Sequence, residues 1–127
     1  MSLVRVAILD GDAMIIAGKR LLIDSQPDLL IVYEQADALV AIEELPRTLI
    51  DVILIDQRLR KLDGVTAARQ IAHSYEASGQ KVPAMILSAP YSSSELLAAA
   101  TQSHISAVVT IEDEPAALIG AIRAALT

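Results

Sequence analysis

Five apolar runs of strand length recur along the chain: VRVAIL (4–9), LLIVY (29–33), DVILI (51–55), PAMIL (83–87) and SAVVT (106–110). They read as nearly continuous hydrophobic stretches rather than alternating ones, the pattern of strands covered on both faces. Between them lie segments with helical spacing. The first places Met14, Ala17, Gly18, Leu21 and Leu22 on one face, the third Ala67, Ala68, Ile71, Ala72 and Tyr75, and the last Leu118, Ile119, Ile122, Ala125 and Leu126. Start signals agree: Asp37 precedes the short second helix, Ser92 and Glu95 form an S-x-x-E capping box, and Pro115 suits a first helical turn. Strands that alternate with helices join through right-handed crossovers into a parallel sheet. The expected fold is an α/β doubly wound (βα)5 domain.

At 127 residues the chain suffices for one domain with a real core. Residues 1–127 are read as that domain, with 1–3 a candidate leader. Net charge −6 repels phosphate backbones and anionic lipid, and the three tyrosines, without Phe or Trp, make no stacking platform for bases. Direct nucleic-acid or membrane binding is therefore not expected of this segment. The absence of cysteine excludes disulfides and thiolate metal sites, and with no apolar run of membrane length the expected compartment is the cytoplasm.

In a doubly wound sheet the site lies beyond the carboxyl ends of the strands. The residues there are 10–12, 56–58, 88–90 and 110–113. Asp10 ends the first strand and Asp56 the third, which are neighbours in such a sheet, so both carboxylates can face one pocket. Their repulsion would be relieved by a hard cation such as Mg²⁺. Ser88, ending the fourth strand, adds a hydroxyl on the other side of Asp56, an arrangement suited to a phosphoryl group. Any one of these residues alone would be an ordinary turn former. An aspartate placed directly after VILI in a central strand is less easily explained, because it is pressed between apolar layers.

With these residues in view, the chain resembles a receiver domain of a two-component response regulator, in the segments ILDGDAMIIAGKRLL, QPDLLIVYEQAD, DVILIDQRLRKLDG, ILSA and EPAALIGAIRAAL. The similarity covers nearly the whole length and is nearest to the NarL/LuxR type. It implies a flavodoxin-like five-stranded parallel sheet of order 2-1-3-4-5. Asp56 would be the phosphoacceptor, taking its phosphoryl group from a histidine kinase, and Ser88 the switch hydroxyl. Asp10, Asp56 and the backbone carbonyl of Arg58 would be Mg²⁺ ligands. The resemblance further implies an output domain that binds DNA and regulates transcription, outside this chain, and a homodimer contact through the fourth and fifth helices and fifth strand. Catalysis would be limited to self-phosphorylation and self-dephosphorylation at Asp56.

The chain departs from the pattern in four places. The second member of the acidic pair is Gly11, which removes a direct metal ligand. The lysine expected at the end of the fifth strand falls at Ile111, the switch aromatic at Val108, and the proline four residues after the phosphoacceptor at Arg60. The nucleophile and hydroxyl are kept while positive charge is lost. Loss of one preorganised electrostatic partner costs about 2.7–4 kcal/mol in comparable sites. Asp12, freed by Gly11, is a candidate metal ligand against the alternative of a helix cap, and Arg58 or Arg60 could supply charge.

Two other functions are compatible with the residues. The thinned site suits a degenerate receiver that acts as a phosphorylation-independent interaction module. ILDGDA also resembles the first motif of haloacid-dehalogenase-type phosphatases, with Asp10 as nucleophile, Asp12 as acid/base, and ILS and IEDE (111–114) as later motifs. That resemblance gives no reason for Asp56. In the fourth helix, Leu96, Leu97 and 98–100 span more than one stripe, so part of this apolar surface is expected to be exposed. His73 and His104 lack partners at ligand spacing and are expected at the surface or in packing.

Overall fold

The computed structural model describes residues 2–113 and 115–127. Met1 and Glu114, and the side chain of Ile111, lie outside the described residues, so the leader at its first residue and the last acid of IEDE are not placed. Strands β1 (Val4–Leu9), β2 (Leu29–Gln35), β3 (Val52–Asp56), β4 (Ala84–Ala89) and β5 (Ile105–Thr110) alternate with helices α1 (Ala13–Asp24), α2 (Ala38–Glu44), α3 (Gly64–Ala77), α4 (Ser94–Thr101) and α5 (Ala116–Ala125). All pairings are parallel and the strand order is β2-β1-β3-β4-β5. The doubly wound flavodoxin-like fold expected from the sequence is the fold observed.

Every residue of β3 is buried, as its unbroken apolar run requires. Alternation then divides its side chains between two cores. Ile53 and Ile55 join Ala38 and Ala41 of α2, Ala67, Ala68 and Ile71 of α3 and Ala100 of α4. Val52 and Leu54 join Val6 and Ile8 of β1, Ile23 of α1, and Leu118 and Ile122 of α5. The alanine-rich faces of α2 and α3 let these helices lie close to the sheet, which suits a core without Phe or Trp.

The expected faces of α3 and α5 are the ones packed on the sheet, except that Leu126 is half-exposed at the C-terminal cap of α5. The expected face of α1 is right only at Leu22, with Ala17 and Gly18 exposed. Met14 is 84% exposed and Leu21 76%, whereas the inward positions are Lys19 and Ile23, with Ile16 and Leu22 beside them. The packed stripe is harder to read than the one through Met14 and Leu21 because a lysine stands in its middle. Two boundaries also move. Ser93, not Ser92, caps α4 by accepting from the Leu96 N–H, and Pro115 is the cap residue of α5 rather than a member of its first turn. Of the serines at 92, 93 and 94, the one at 93 supplies the cap, and the helix it starts buries Ala100.

Candidate phosphoryl site

The carboxyl ends of the three central strands present Asp10, Asp56 and Ser88, 1%, 3% and 5% exposed. Asp56 and Ser88 are direct register partners across β3 and β4. In each strand the polar residue continues the set that faces α1 and α5: Val6 and Ile8 lead to Asp10, Val52 and Leu54 to Asp56, and Ile86 to Ser88. One face of the sheet therefore ends in two carboxylates and a hydroxyl. The three residues singled out from sequence are brought together.

The structure adds a residue that sequence reasoning missed. Lys19, 4% exposed, reaches in from α1 and donates from Nζ to Asp10 Oδ2 and to Ser88 Oγ, both at 3.3 Å. Its ammonium thus spans from the β1 side of the site to the β4 side. Burial of a charged lysine is tolerable only with such partners. The positive charge that Ile111 seemed to remove from the site is thus present, carried by another element. The signal in the sequence was position: Lys19 is three residues from Ile16 and Leu22 and four from Ile15 and Ile23, inside an apolar stripe.

Asp10 is fully engaged. Its Oδ1 accepts the Asp12 N–H at 2.9 Å while Oδ2 meets Lys19. Its pKa is raised above the usual carboxylate value: burial is the main cause, the neighbouring Asp56 charge adds to it, and the Asp12 amide and Lys19 oppose it. Asp56 Oδ1 accepts the Arg58 N–H at 2.7 Å and lies 3.3 Å from Arg58 Nε. Oδ2 takes part in neither contact. The Arg58 side chain is 53% exposed, so solvent screens its charge far more than that of Lys19. A shallow groove of about 230 Å³, lined by 10–12, Asp56 and 58–60, opens over the two carboxylates.

Asp12 is a helix cap: its Oδ1 accepts from the Met14 and Ile15 N–H groups at 2.8 and 3.3 Å. Arg60 donates its backbone N–H to Ala36 O at 3.3 Å, a bond that proline at this position could not make, and thereby fastens the loop after β3 to the one after β2. Gln57 holds the other end of that loop, accepting from the Val65 N–H and donating to Asp63. Gly64 completes it, because a Cβ there would stand 2.7 Å from Asp56 O and from Leu87 Cδ1.

Do these residues fit Mg²⁺? The Asp10 carboxylate has both oxygens bonded, and the cation on one of them would have to leave. Gly11 offers no carboxylate, and a Cβ on it would lie 3.1 Å from Arg58 O, the carbonyl that the resemblance assigned to the metal. Among the described residues, no group of three or more His, Cys, Asp or Glu side chains is placed to hold a metal. As arranged, the site does not fit a divalent ion.

A buried aspartate at the end of the central strand of a five-stranded parallel sheet, flanked by a second acid and a hydroxyl, is the arrangement that the resemblance to receiver domains implies. The sequence profile of the response regulator receiver domain matches residues 6–123, and the chain belongs to that family. Among curated proteins nothing matched. Among solved structures, a LuxR-family two-component response regulator from Aurantimonas sp. SI85-9A1 superposes with a TM-score of 0.87 at 28% identity, covering 98% of this chain and 86% of that one. The response regulator domain of Thermotoga maritima CheB gives 0.82 at 22% identity, covering 98% and 96%. RcsB from Salmonella typhimurium, described for its conformational dynamism in DNA interaction, gives 0.84 at 21% identity. The chain spans only 60% of that RcsB chain.

Proposed function

We propose that this receiver domain accepts a phosphoryl group on Asp56 from a histidine kinase and passes the resulting change to an output domain. The observation that carries the reading is the placement of Asp56: 3% exposed, in register with Ser88, and one strand from Asp10. In the transfer, an Asp56 carboxylate oxygen attacks phosphorus, the P–O bond forms as the P–N bond of the phosphohistidine breaks, and the leaving imidazole takes up a proton. Such a step depends on position and on compensating charge. The Arg58 N–H fixes the Asp56 carboxylate through Oδ1, and Ser88 supplies the hydroxyl that meets a phosphoryl oxygen and reports its presence. Beyond self-phosphorylation and self-dephosphorylation, no enzymatic turnover belongs to this reading.

The finer assignment, a NarL/LuxR-type transcription regulator whose output domain binds DNA, is supported by the Aurantimonas neighbour. A homodimer contact through α4, β5 and α5 belongs to the same reading, and Leu97, exposed on α4, fits it. No described helix is long and apolar enough to cross a membrane.

One observation favours a second reading, an interaction module independent of phosphorylation: both carboxylates already have cationic partners, Lys19 for Asp10 and Arg58 for Asp56. The phosphatase reading has no such support, since Asp12 is engaged as a cap and the family match lies elsewhere. Incubation with acetyl phosphate, followed by mass spectrometry of the modified aspartate, separates the three. Label on Asp56 supports the receiver, label on Asp10 the phosphatase, and no label the interaction module.

A further inference from the structure

The most unusual group in the molecule is Lys19, the one cationic side chain among the buried residues described. Its stem lines a groove between α1 and α5 with Ile15, Leu22, Pro115 and Leu118, while its ammonium is delivered to Asp10 and Ser88. A lysine with no role at the sheet edge would reach water along its flexible stem, and α1 is short of neither solvent nor exposed positions. Met14 and Leu21, both apolar, are instead left outside. The packed face of the helix, which carries Ile16, Leu22 and Ile23, thus also places a charge in the acidic pocket.

We propose that Lys19 is a tethered counter-cation that takes the place of a divalent metal at Asp10 and sets the pocket's affinity for one. The inference concerns the same pocket and rests on the reading that Asp10 and Asp56 form a cation and phosphoryl site. Three observations carry it. Lys19 Nζ is bonded to Asp10 Oδ2, the oxygen not taken by the Asp12 N–H, at side-chain exposures of 4% and 2%, where solvent screens little. The same nitrogen touches Ser88, so its charge lies beside the space that a phosphoryl group on Asp56 would enter. Gly11, where an added Cβ would stand 3.1 Å from Arg58 O, supplies no second carboxylate to hold an ion against Lys19. The competition is direct: an incoming Mg²⁺ must break the Lys19–Asp10 pair and then remain near an unpaired ammonium, with like charges repelling at short range.

The test compares Mg²⁺ binding to the full chain and to Lys19→Met, Lys19→Gln and Lys19→Arg, by thermal melts and by NMR shifts of the amides of Gly11, Asp12 and Gln57. In the wild type, Mg²⁺ is expected to bind weakly and to leave the melting temperature unchanged. Lys19→Met and Lys19→Gln leave Asp10 uncompensated, so both should bind Mg²⁺ at least about tenfold more tightly and be stabilised by it. Should Lys19→Met fold only with Mg²⁺ present, the inference is supported in its strongest form. Lys19→Arg keeps the charge and should keep the weak binding. Equal Mg²⁺ affinity in the wild type and both neutral variants overturns the proposal, as does tight binding by the wild type. Beryllofluoride added to the same samples and followed by ¹⁹F NMR tests the phosphoacceptor reading separately. Absence of a signal at Asp56 in the Mg²⁺-loaded Lys19→Gln variant as well as in the wild type would count against that reading while leaving the Mg²⁺ comparison to decide the role of Lys19.

Discussion

At the scale of single residues, the site is decided by which polar group faces which. Asp12 looked from its spacing like a spare carboxylate, and its oxygen instead closes the first turn of α1. Asp12→Ala should lower stability by about 1 kcal/mol, as loss of an N-cap does. For a domain of this size that is about 3 to 5 °C in melting temperature. Mg²⁺ affinity should not change, and a clear weakening of Mg²⁺ binding in this variant would restore Asp12 as a ligand. Lys19 is the opposite case, a residue that seemed to be one more solvated charge and is buried against Asp10. Lys19→Ala in the absence of divalent ions should cost about 3–5 kcal/mol, because it strands a buried carboxylate. Urea denaturation measures it. A loss below about 1 kcal/mol, the value of an exposed pair, would mean that solvent reaches Asp10.

Elements position these groups through close approaches that tolerate little change. The loop from Asp56 to α3 turns back on itself so tightly that the Gly64 N–H donates to Gln57 O at 3.0 Å, with no room for a Cβ against Asp56 O. Gly64→Ala is expected to destabilise the domain by about 1–3 kcal/mol. It should also reduce labelling of Asp56 by acetyl phosphate, because the carboxylate and its strand end must shift. Wild-type labelling in a folded Gly64→Ala variant would show that the loop can yield without moving Asp56. The helices differ in how readable they were. In α3, Ala67, Ala68, Ile71, Ala72 and Tyr75 form an unbroken inward stripe, and sequence periodicity identifies it directly. In α1 the inward stripe is interrupted by Lys19, so the stripe through Met14 and Leu21 looked more apolar although both residues face solvent. Hydrophobic counting fails there because the packed stripe of Ile16, Leu22 and Ile23 carries a charge in its middle.

For the whole molecule, pH dependence at the alkaline end follows from two tyrosines. Tyr75, buried with its hydroxyl donating to Leu45 O at 3.0 Å, has its pKa pushed up from 10.0 to about 12 by burial. Tyr33 is raised as well, by burial and by its bond to Glu44. A folded-state pKa above the unfolded one means that the unfolded chain loses its proton first as pH rises. The contribution of these phenols is therefore complete below about pH 10 and is lost as pH climbs from 10 towards 12. Denaturation curves across that window should show falling stability, with a shallower fall in Tyr75→Phe; an identical slope in the variant would assign the effect elsewhere.

Five apolar runs with helical segments between them determined the parallel α/β sheet, and the placement of Asp10, Asp56 and Ser88 after three of those runs determined that one edge would gather two acids and a hydroxyl. Both follow from local sequence, since burial on two faces requires continuous hydrophobicity and chain direction in a parallel sheet puts every strand end of the same kind at one edge. The departures at Gly11 and Ile111 were equally plain. What replaced them was not, because Lys19 is remote in sequence from Ser88 and meets it only through the packing of α1 across the sheet. Charge compensation is a property of distance and burial in three dimensions, and only the tertiary structure decided that the acidic edge of this receiver already holds a cation of its own.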